Sequence, residues 1–168
     1  MPAIAKRIDC EGEVAVVIGK RCRKMAEGED ARQYIRGYTC LNDVTARDVQ
    51  MSTTQWSMGK SFDTFAPLGP AIVTKDEVPD PHALDITLTI GGEVLQRSNT
   101  RELIFRIPDL IAYLSAIAPL EAGDIVSTGT PAGVGLGRTP PRWLRPGETI
   151  VTEVEGLGQL VNPIVAEV

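Results

Sequence analysis

Two glutamates flank a single glycine at Glu11-Gly12-Glu13, immediately before the apolar run Val14–Ile18. A continuous apolar run stopped by Gly19 reads as a buried strand, and side chains two residues apart on a strand share one face. Both carboxylates therefore project side by side, with Asp9 positioned to continue the row. Two unit charges ~6–7 Å apart at an effective dielectric of ~20 repel by roughly 2–3 kcal/mol. A buried strand start needs a proton or a cation to relieve that repulsion. A hard divalent ion with oxygen ligands is suited to it, and Mg²⁺ takes only a few carboxylates while keeping several waters. The competing reading is an exposed strand end whose acids are simply hydrated. Asp43, in Asn42-Asp43-Val44 at the end of a second predicted strand, joins the pair only if the two strands are neighbours. Spacing alone leaves both readings open.

Other residues that could carry chemistry read as structural. Gly59-Lys60-Ser61 has Thr54 where a phosphate-binding loop requires glycine, and Lys60 taken alone reads as a surface lysine. Gly133-Val134-Gly135-Leu136-Gly137 is followed by Pro140-Pro141 instead of the helix a dinucleotide site needs. The single histidine, His82, sits in Asp80-Pro81-His82 and reads as a surface turn residue. Lys20-Arg21-Cys22-Arg23-Lys24 reads as a solvated basic loop. Asp48 and Asp63 are expected to brace loops, Trp56 and Trp143 to pack, and Ser98-Asn99-Thr100 to cap a short turn at residues 101–103.

The elements that must position these groups are mostly strands. Gly37–Val44 reads as the second strand, after a short helix over Glu27–Ile35. Thr45–Met58 reads as irregular and Ser61–Pro70 as a loop. Leu84, Ile86, Leu88 and Ile90 alternate with polar residues, the period of a half-buried strand. Gly91-Gly92 then turns the chain into Val94–Gln96. Leu110, Ile111, Leu114, Ile117 and Ala118 form an apolar stripe at helical spacing. Pro108 and Asp109 suit the first turn of that helix, and Pro119 marks its stop. Asp124–Thr128, Thr149–Glu155 and Leu160–Val165 read as strands, separated by a Gly- and Pro-rich loop over Gly129–Pro146.

With 168 residues, the chain is expected to form one domain. A net charge of −5 gives no electrostatic reason to bind nucleic acid. Three cysteines, Cys10, Cys22 and Cys40, with no CxxC pair, fit a reducing compartment. The absence of a signal-like stretch and of a long apolar span leads to the expectation of a cytoplasmic protein without membrane contact.

Several ordered blocks together resemble the fumarylacetoacetate hydrolase family. They are Glu11–Gly19, Gly37-Tyr38-Thr39 with Asn42–Gln50, Gly59–Pro70, Ser127–Gly135 and Leu144-Arg145-Pro146-Gly147. Any one block is weak; the ordered set, spanning Asp9 to Pro163, is specific. The resemblance implies a β-rich α+β fold, a mixed β-sandwich roll of the fumarylacetoacetase C-terminal-domain type with one main helix. It implies Glu11, Glu13 and Asp43 as ligands of Mg²⁺, with Mn²⁺ or Ca²⁺ as substitutes, and Lys60 as the active-site lysine. Gln50 and Thr130 would contact the substrate, the Thr130 hydroxyl holding a carboxylate, and Arg47 would lie at the edge of the site or brace Asp43. The implied partner is a small carboxylate substrate, and the implied assembly a homodimer.

The implied chemistry is Lewis-acid polarisation of a 2-keto or 2-hydroxy-dienoic acid, stabilising an enolate. That one intermediate serves isomerisation, decarboxylation or C–C hydrolysis, with substrates from aromatic catabolism favoured. Complete members carry an upstream lid with a His–Glu pair, whereas nine residues precede Cys10 here. The alternative expectation is therefore an impaired remnant that binds metal and a small carboxylate, or only dimerises.

Overall fold

A computed structural model describes residues 1–167. The strands are Ile8–Asp9 (β1), Gly12–Ile18 (β2), Ile35–Asn42 (β3), Thr45–Ala46 (β4), Leu68–Thr74 (β5), Asp85–Ile90 (β6), Glu93–Asn99 (β7), Ile125–Ser127 (β8), Thr149–Val154 (β9) and Gly158–Pro163 (β10). The α-helices are Arg47–Gln50 (α1) and Ile107–Ile117 (α2). Two four-stranded sheets, ordered β5-β3-β2-β8 and β10-β9-β6-β7, are accompanied by a small separate β1-β4 pair. The expected β-rich α+β architecture with one main helix is what forms.

Burial explains the layering. Every residue of β2 is buried, as a central strand covered on both faces must be. Val14, Val16 and Ile18 pack in one cluster with Tyr38 and Cys40 of β3, Ile86, Val154 and Leu160 of the second sheet, and Ile107 and Ile111 of α2. In β6, Ile86, Leu88 and Ile90 are buried while Asp85 is exposed, the alternation read from the sequence. A second cluster, including Ile8, Cys10, Val44, Leu88 and Leu144, underlies the β1-β4 pair. All three cysteines are free and buried, and burial pushes the Cys10 thiol up to about 12. Among the described residues, no helix is long and apolar enough to cross a membrane.

The structure departs from the sequence reading in several places. The helix expected over Glu27–Ile35 is only a 3-10 turn at Ala31–Tyr34, opened by Asp30 accepting from the Arg32 N–H, before Ile35 enters β3. The segment expected to end as a loop at Pro70 continues as β5, an edge strand. Proline is tolerated there because an edge needs no outward N–H partner. Gly37 permits β5 to approach, since a Cβ at that position would lie 2.2 Å from the Val73 carbonyl oxygen. Trp56, expected to pack, is 64% exposed.

Two residues read as loop features also hold the ends of α2. His82 Nε2 accepts from the Ile107 N–H at 3.1 Å, satisfying an amide that the helix leaves without a partner. Arg23 donates to the carbonyls of Ser115 and Ala116 at 2.7 and 2.8 Å, at the opposite end. Only the neutral imidazole can accept, and burial, aided by Arg106, holds the His82 pKa below its usual value. The unfolded chain therefore takes up this proton first as pH falls. The His82 contribution is complete above the unfolded pKa of ~6.5 and is lost as pH drops below it. Urea unfolding at pH 7.5 and 5.5 is expected to show a larger acid loss of stability for wild type than for His82→Gln. Equal losses would contradict the capping role.

Candidate metal centre

Adjacent antiparallel strands bring the acids together. β2 and β3 pair with Gly12 opposite Asn42, so Glu11 and Glu13 at one strand end face Asp43 just beyond the other. One carboxylate oxygen from each of Glu11, Glu13 and Asp43 lies within 4.8 Å of the others. The local backbone fixes this convergence. The Asn42 side-chain oxygen accepts from the Glu11 N–H at 2.9 Å, and the Asp43 N–H donates to the Glu11 carbonyl at 2.9 Å. Glu11 is thus held on both sides, by the last residue of β3 and by the residue that follows it.

Glu13 is the most buried of the three, at 3% exposure. Its carboxylate accepts from the Ser127 hydroxyl and, at 2.8 Å, from the Gly129 N–H. Burial pushes its pKa up to about 7 against the pull of those two hydrogen bonds, and the charges of Asp43 and Glu11 push the same way. The hydrated-acid reading therefore does not hold for Glu13, which lies in the interior.

Lys60 stands among the acids. Its ammonium donates to Asp43, to Glu11 Oε2 at 2.8 Å and to Thr45 Oγ1 at 3.1 Å. Burial works against its charge, but the hydrogen bonds to Asp43 and Glu11 outweigh it and raise its pKa. Lys60 is carried by a 3-10 turn, Trp56–Lys60, packed against α1 at Gly59. A Cβ at Gly59 would lie 2.7 Å from the Gln50 Cβ, so that packing requires glycine.

Arg47 does not brace Asp43, contrary to one sequence expectation. Its guanidinium donates to Glu11 Oε1 at 2.6 Å, to Asp9 Oδ2 at 2.9 Å and to Gln50 Oε1 at 3.1 Å. Asp9 is fully buried and also receives the Gly135 and Leu136 N–H groups, at 2.7 and 3.0 Å. It therefore ties the Gly- and Pro-rich loop to the site; the sequence suggested only that it might extend the acidic row. Gln50 is buried beside Arg47, its amide oxygen taken up by the guanidinium. Thr130 donates its one hydroxyl proton to the Gly12 carbonyl at 2.9 Å, so its side chain is turned into the strand. Asp48 braces the N-terminal segment by accepting from the Lys6 N–H at 2.7 Å.

The acids at the site outnumber its basic groups. Asp9, Glu11, Glu13 and Asp43 face Arg47 and Lys60, leaving two negative charges when every acid is ionised. A donor set made only of carboxylate oxygens suits a hard divalent ion. Glu11, Glu13 and Asp43 fit that group in donor type and proximity.

Known proteins share this arrangement of sequence and fold. The model of the fumarylacetoacetate (FAA) hydrolase C-terminal family matches residues 1–165. A mitochondrial oxaloacetate tautomerase of Rattus norvegicus is 48% identical over 166 residues, covering 98% of this chain and 53% of that protein. The chain thus spans about half the length of the curated relatives it matches. A fumarylacetoacetate hydrolase from psychrophilic Exiguobacterium antarcticum superposes with a TM-score of 0.93 at 40% identity, covering 98% of this chain and 58% of that one. A 5-carboxymethyl-2-hydroxymuconate delta-isomerase from Mycobacterium smegmatis gives 0.90 at 41% identity, covering 99% and 62%.

Proposed function

The chain belongs to the fumarylacetoacetate hydrolase family, and we propose that it is an isomerase-type enzyme of small 2-oxo and 2-hydroxy-enoic acids. In this reading it moves a proton at the carbon skeleton beside the 2-oxo group. The observation that carries the proposal is the meeting of Glu11, Glu13 and Asp43 at one strand end, with Lys60 among them. Those three residues would hold one divalent ion, which we assign as Mg²⁺, with Mn²⁺ or Ca²⁺ as substitutes. When bound, the ion would supply Lewis-acid stabilisation of negative charge on a substrate oxygen.

The chain's own residues supply the rest. Lys60 places a fixed positive charge beside the acids, where negative charge develops on a 2-oxo acid as its proton leaves. Arg47 holds the Glu11 carboxylate in orientation, and Asp9 holds Arg47. Gln50, with its oxygen engaged by Arg47, keeps its amide N–H₂ end for a substrate oxygen. The two isomerase-type relatives are named for oxaloacetate and a hydroxymuconate, acids that share a carboxylate next to a keto or enol carbon. A substrate of that class, including the hydroxy-dienedioates of aromatic breakdown, suits a metal site with the Lys60 ammonium beside it. The same reading carries the expectation of a homodimer.

The test follows ultraviolet absorbance after mixing the chain and Mg²⁺ with enol oxaloacetate, and separately with 2-hydroxyhepta-2,4-diene-1,7-dioate. A preorganised group that stabilises developing charge typically contributes 10²–10³-fold, so at least about a tenfold acceleration over Mg²⁺ alone is expected for one of the two. Chelation is expected to remove it. Rates equal to Mg²⁺ alone with both substrates would overturn the enzymatic reading and leave binding without turnover.

A further inference from the structure

We propose that Gln96, a residue of the second sheet, is a positioning residue that locks the strand between the two metal-binding glutamates. This inference rests on the metal-centre reading above. Gln96 is 1% exposed, and both ends of its amide are committed. Its oxygen accepts from the Gly12 N–H at 2.9 Å, and its nitrogen donates to Thr130 Oγ1 at 2.8 Å and to the Pro131 carbonyl at 2.7 Å. The Thr130 hydroxyl in turn donates to the Gly12 carbonyl. Gln96, Gly12 and Thr130 thus close a ring of hydrogen bonds, an arrangement in which each bond polarises the next.

The backbone accounting shows why the ring is there. Along β2, the edge facing β8 is paired at Ala15, Val16 and Val17. One step further, the Val14 carbonyl is taken by the Thr128 N–H and hydroxyl. At Gly12 that edge has no strand beside it, and a buried backbone amide and carbonyl must still be satisfied. Gln96 and Thr130 take the place of the missing strand. Gly12 is the residue between Glu11 and Glu13, so fixing both of its polar groups fixes the relative direction of the two carboxylates.

The fold contains a device that aims Gln96 at this point. The β6-β7 register runs Leu88 to Gln96 and then Thr89 to Val94, leaving Leu95 as an extra residue in a β-bulge. Leu95 and Gln96 are consequently both buried, where an unbroken strand would turn one of them outward. The loop carrying Thr130 is docked against the same bulge, since a Cβ on Gly133 would lie 2.2 Å from the Leu95 carbonyl oxygen. Gly12 itself has Leu88 and the Gln96 side-chain oxygen packed over it, at 3.2 and 3.3 Å from where a Cβ would be.

The test titrates chelator-stripped protein with Mn²⁺, reading free ion by electron paramagnetic resonance well below the melting temperature. Outer supports of a metal site typically change affinity by 10–100-fold. Gln96→Met is expected to weaken Mn²⁺ binding by about that factor with the far-ultraviolet circular dichroism unchanged. Thr130→Val is expected to weaken it in the same direction, and Thr130→Ser, which keeps the hydroxyl, to restore it to within about twofold. Because both residues serve one ring, the double variant is expected to lose less than the two single losses combined. Gln96→Met binding within about twofold of wild type, while Glu13→Gln still loses the ion, overturns the role of Gln96 and leaves the metal centre standing. If Gln96→Met does not fold, the Thr130→Val and Thr130→Ser pair decides, and equal affinities overturn the proposal. No Mn²⁺ binding by wild type removes the metal centre and this inference with it.

Discussion

Replacing Glu13 by glutamine is expected to weaken divalent-metal binding by at least about 100-fold while raising the melting temperature of the metal-free chain. The two effects have one cause. The Glu13 charge is held in the interior, where burial drives its pKa up to about 7 and Asp43 and Glu11 repel it. Glutamine keeps an oxygen to accept from Ser127 and Gly129 but carries no charge. A metal-free chain at pH 8 is thus relieved of a poorly solvated carboxylate, and folding becomes more favourable. The metal-loaded chain loses a ligand charge. At an effective dielectric of ~20, two unit charges ~4 Å apart interact by ~4 kcal/mol, so a loss of ~2.8 kcal/mol, or a hundredfold, is a low bound for a dication. Differential scanning calorimetry with chelator, paired with calorimetric Mn²⁺ titration, checks both signs. A variant that is less stable without metal and equally tight with it would show that Glu13 is structural.

Arg47→Met is expected to cost about 3–5 kcal/mol in urea unfolding, the range for removing one partner of a buried ion pair. Methionine can fill much of the space, so the cost comes chiefly from what is left behind. Asp9 is fully buried and would keep its backbone donors but lose its cation. Glu11 would retain Lys60 but lose the guanidinium that orients its other oxygen. The Gly135–Leu136 turn hangs on Asp9, so the loop carrying Thr130 should loosen as well. Faster amide exchange at Gly135 and Leu136 than in wild type would accompany the loss. A cost below about 1 kcal/mol would place Arg47 among ion pairs that contribute little.

How far the sequence revealed this site depended on whether a residue's role was local. Glu11 and Glu13 were legible because a strand's period of two sets their common face, and the apolar run Val14–Ile18 announced the strand. The helix at Ile107–Ile117 was legible from its stripe, its early proline and Asp109. Asp43 was singled out at the end of the second predicted strand, but its proximity to the glutamates depends on β2 and β3 being neighbours, which spacing left open and only the family resemblance implied. Gln96 was not singled out. A polar residue in a strand reads as outward-facing, and the bulge at Leu95 that turns it inward leaves no mark on the period. The capping roles of His82 and Arg23 were not legible because their partners, the two ends of α2, lie far along the chain. Arg47 illustrates the same limit: the motif marked it, but its partners Asp9 and Glu11 belong to a segment more than thirty residues earlier.

The most direct measurement is a crystal structure after Mn²⁺ soaking, read by anomalous scattering. The account predicts one peak bounded by Glu11, Glu13 and Asp43, with a carboxylate oxygen of each about 2.1 Å away, within ~0.2 Å. Saturating Mn²⁺ with no peak there, or a peak that touches none of these three side chains, would contradict it.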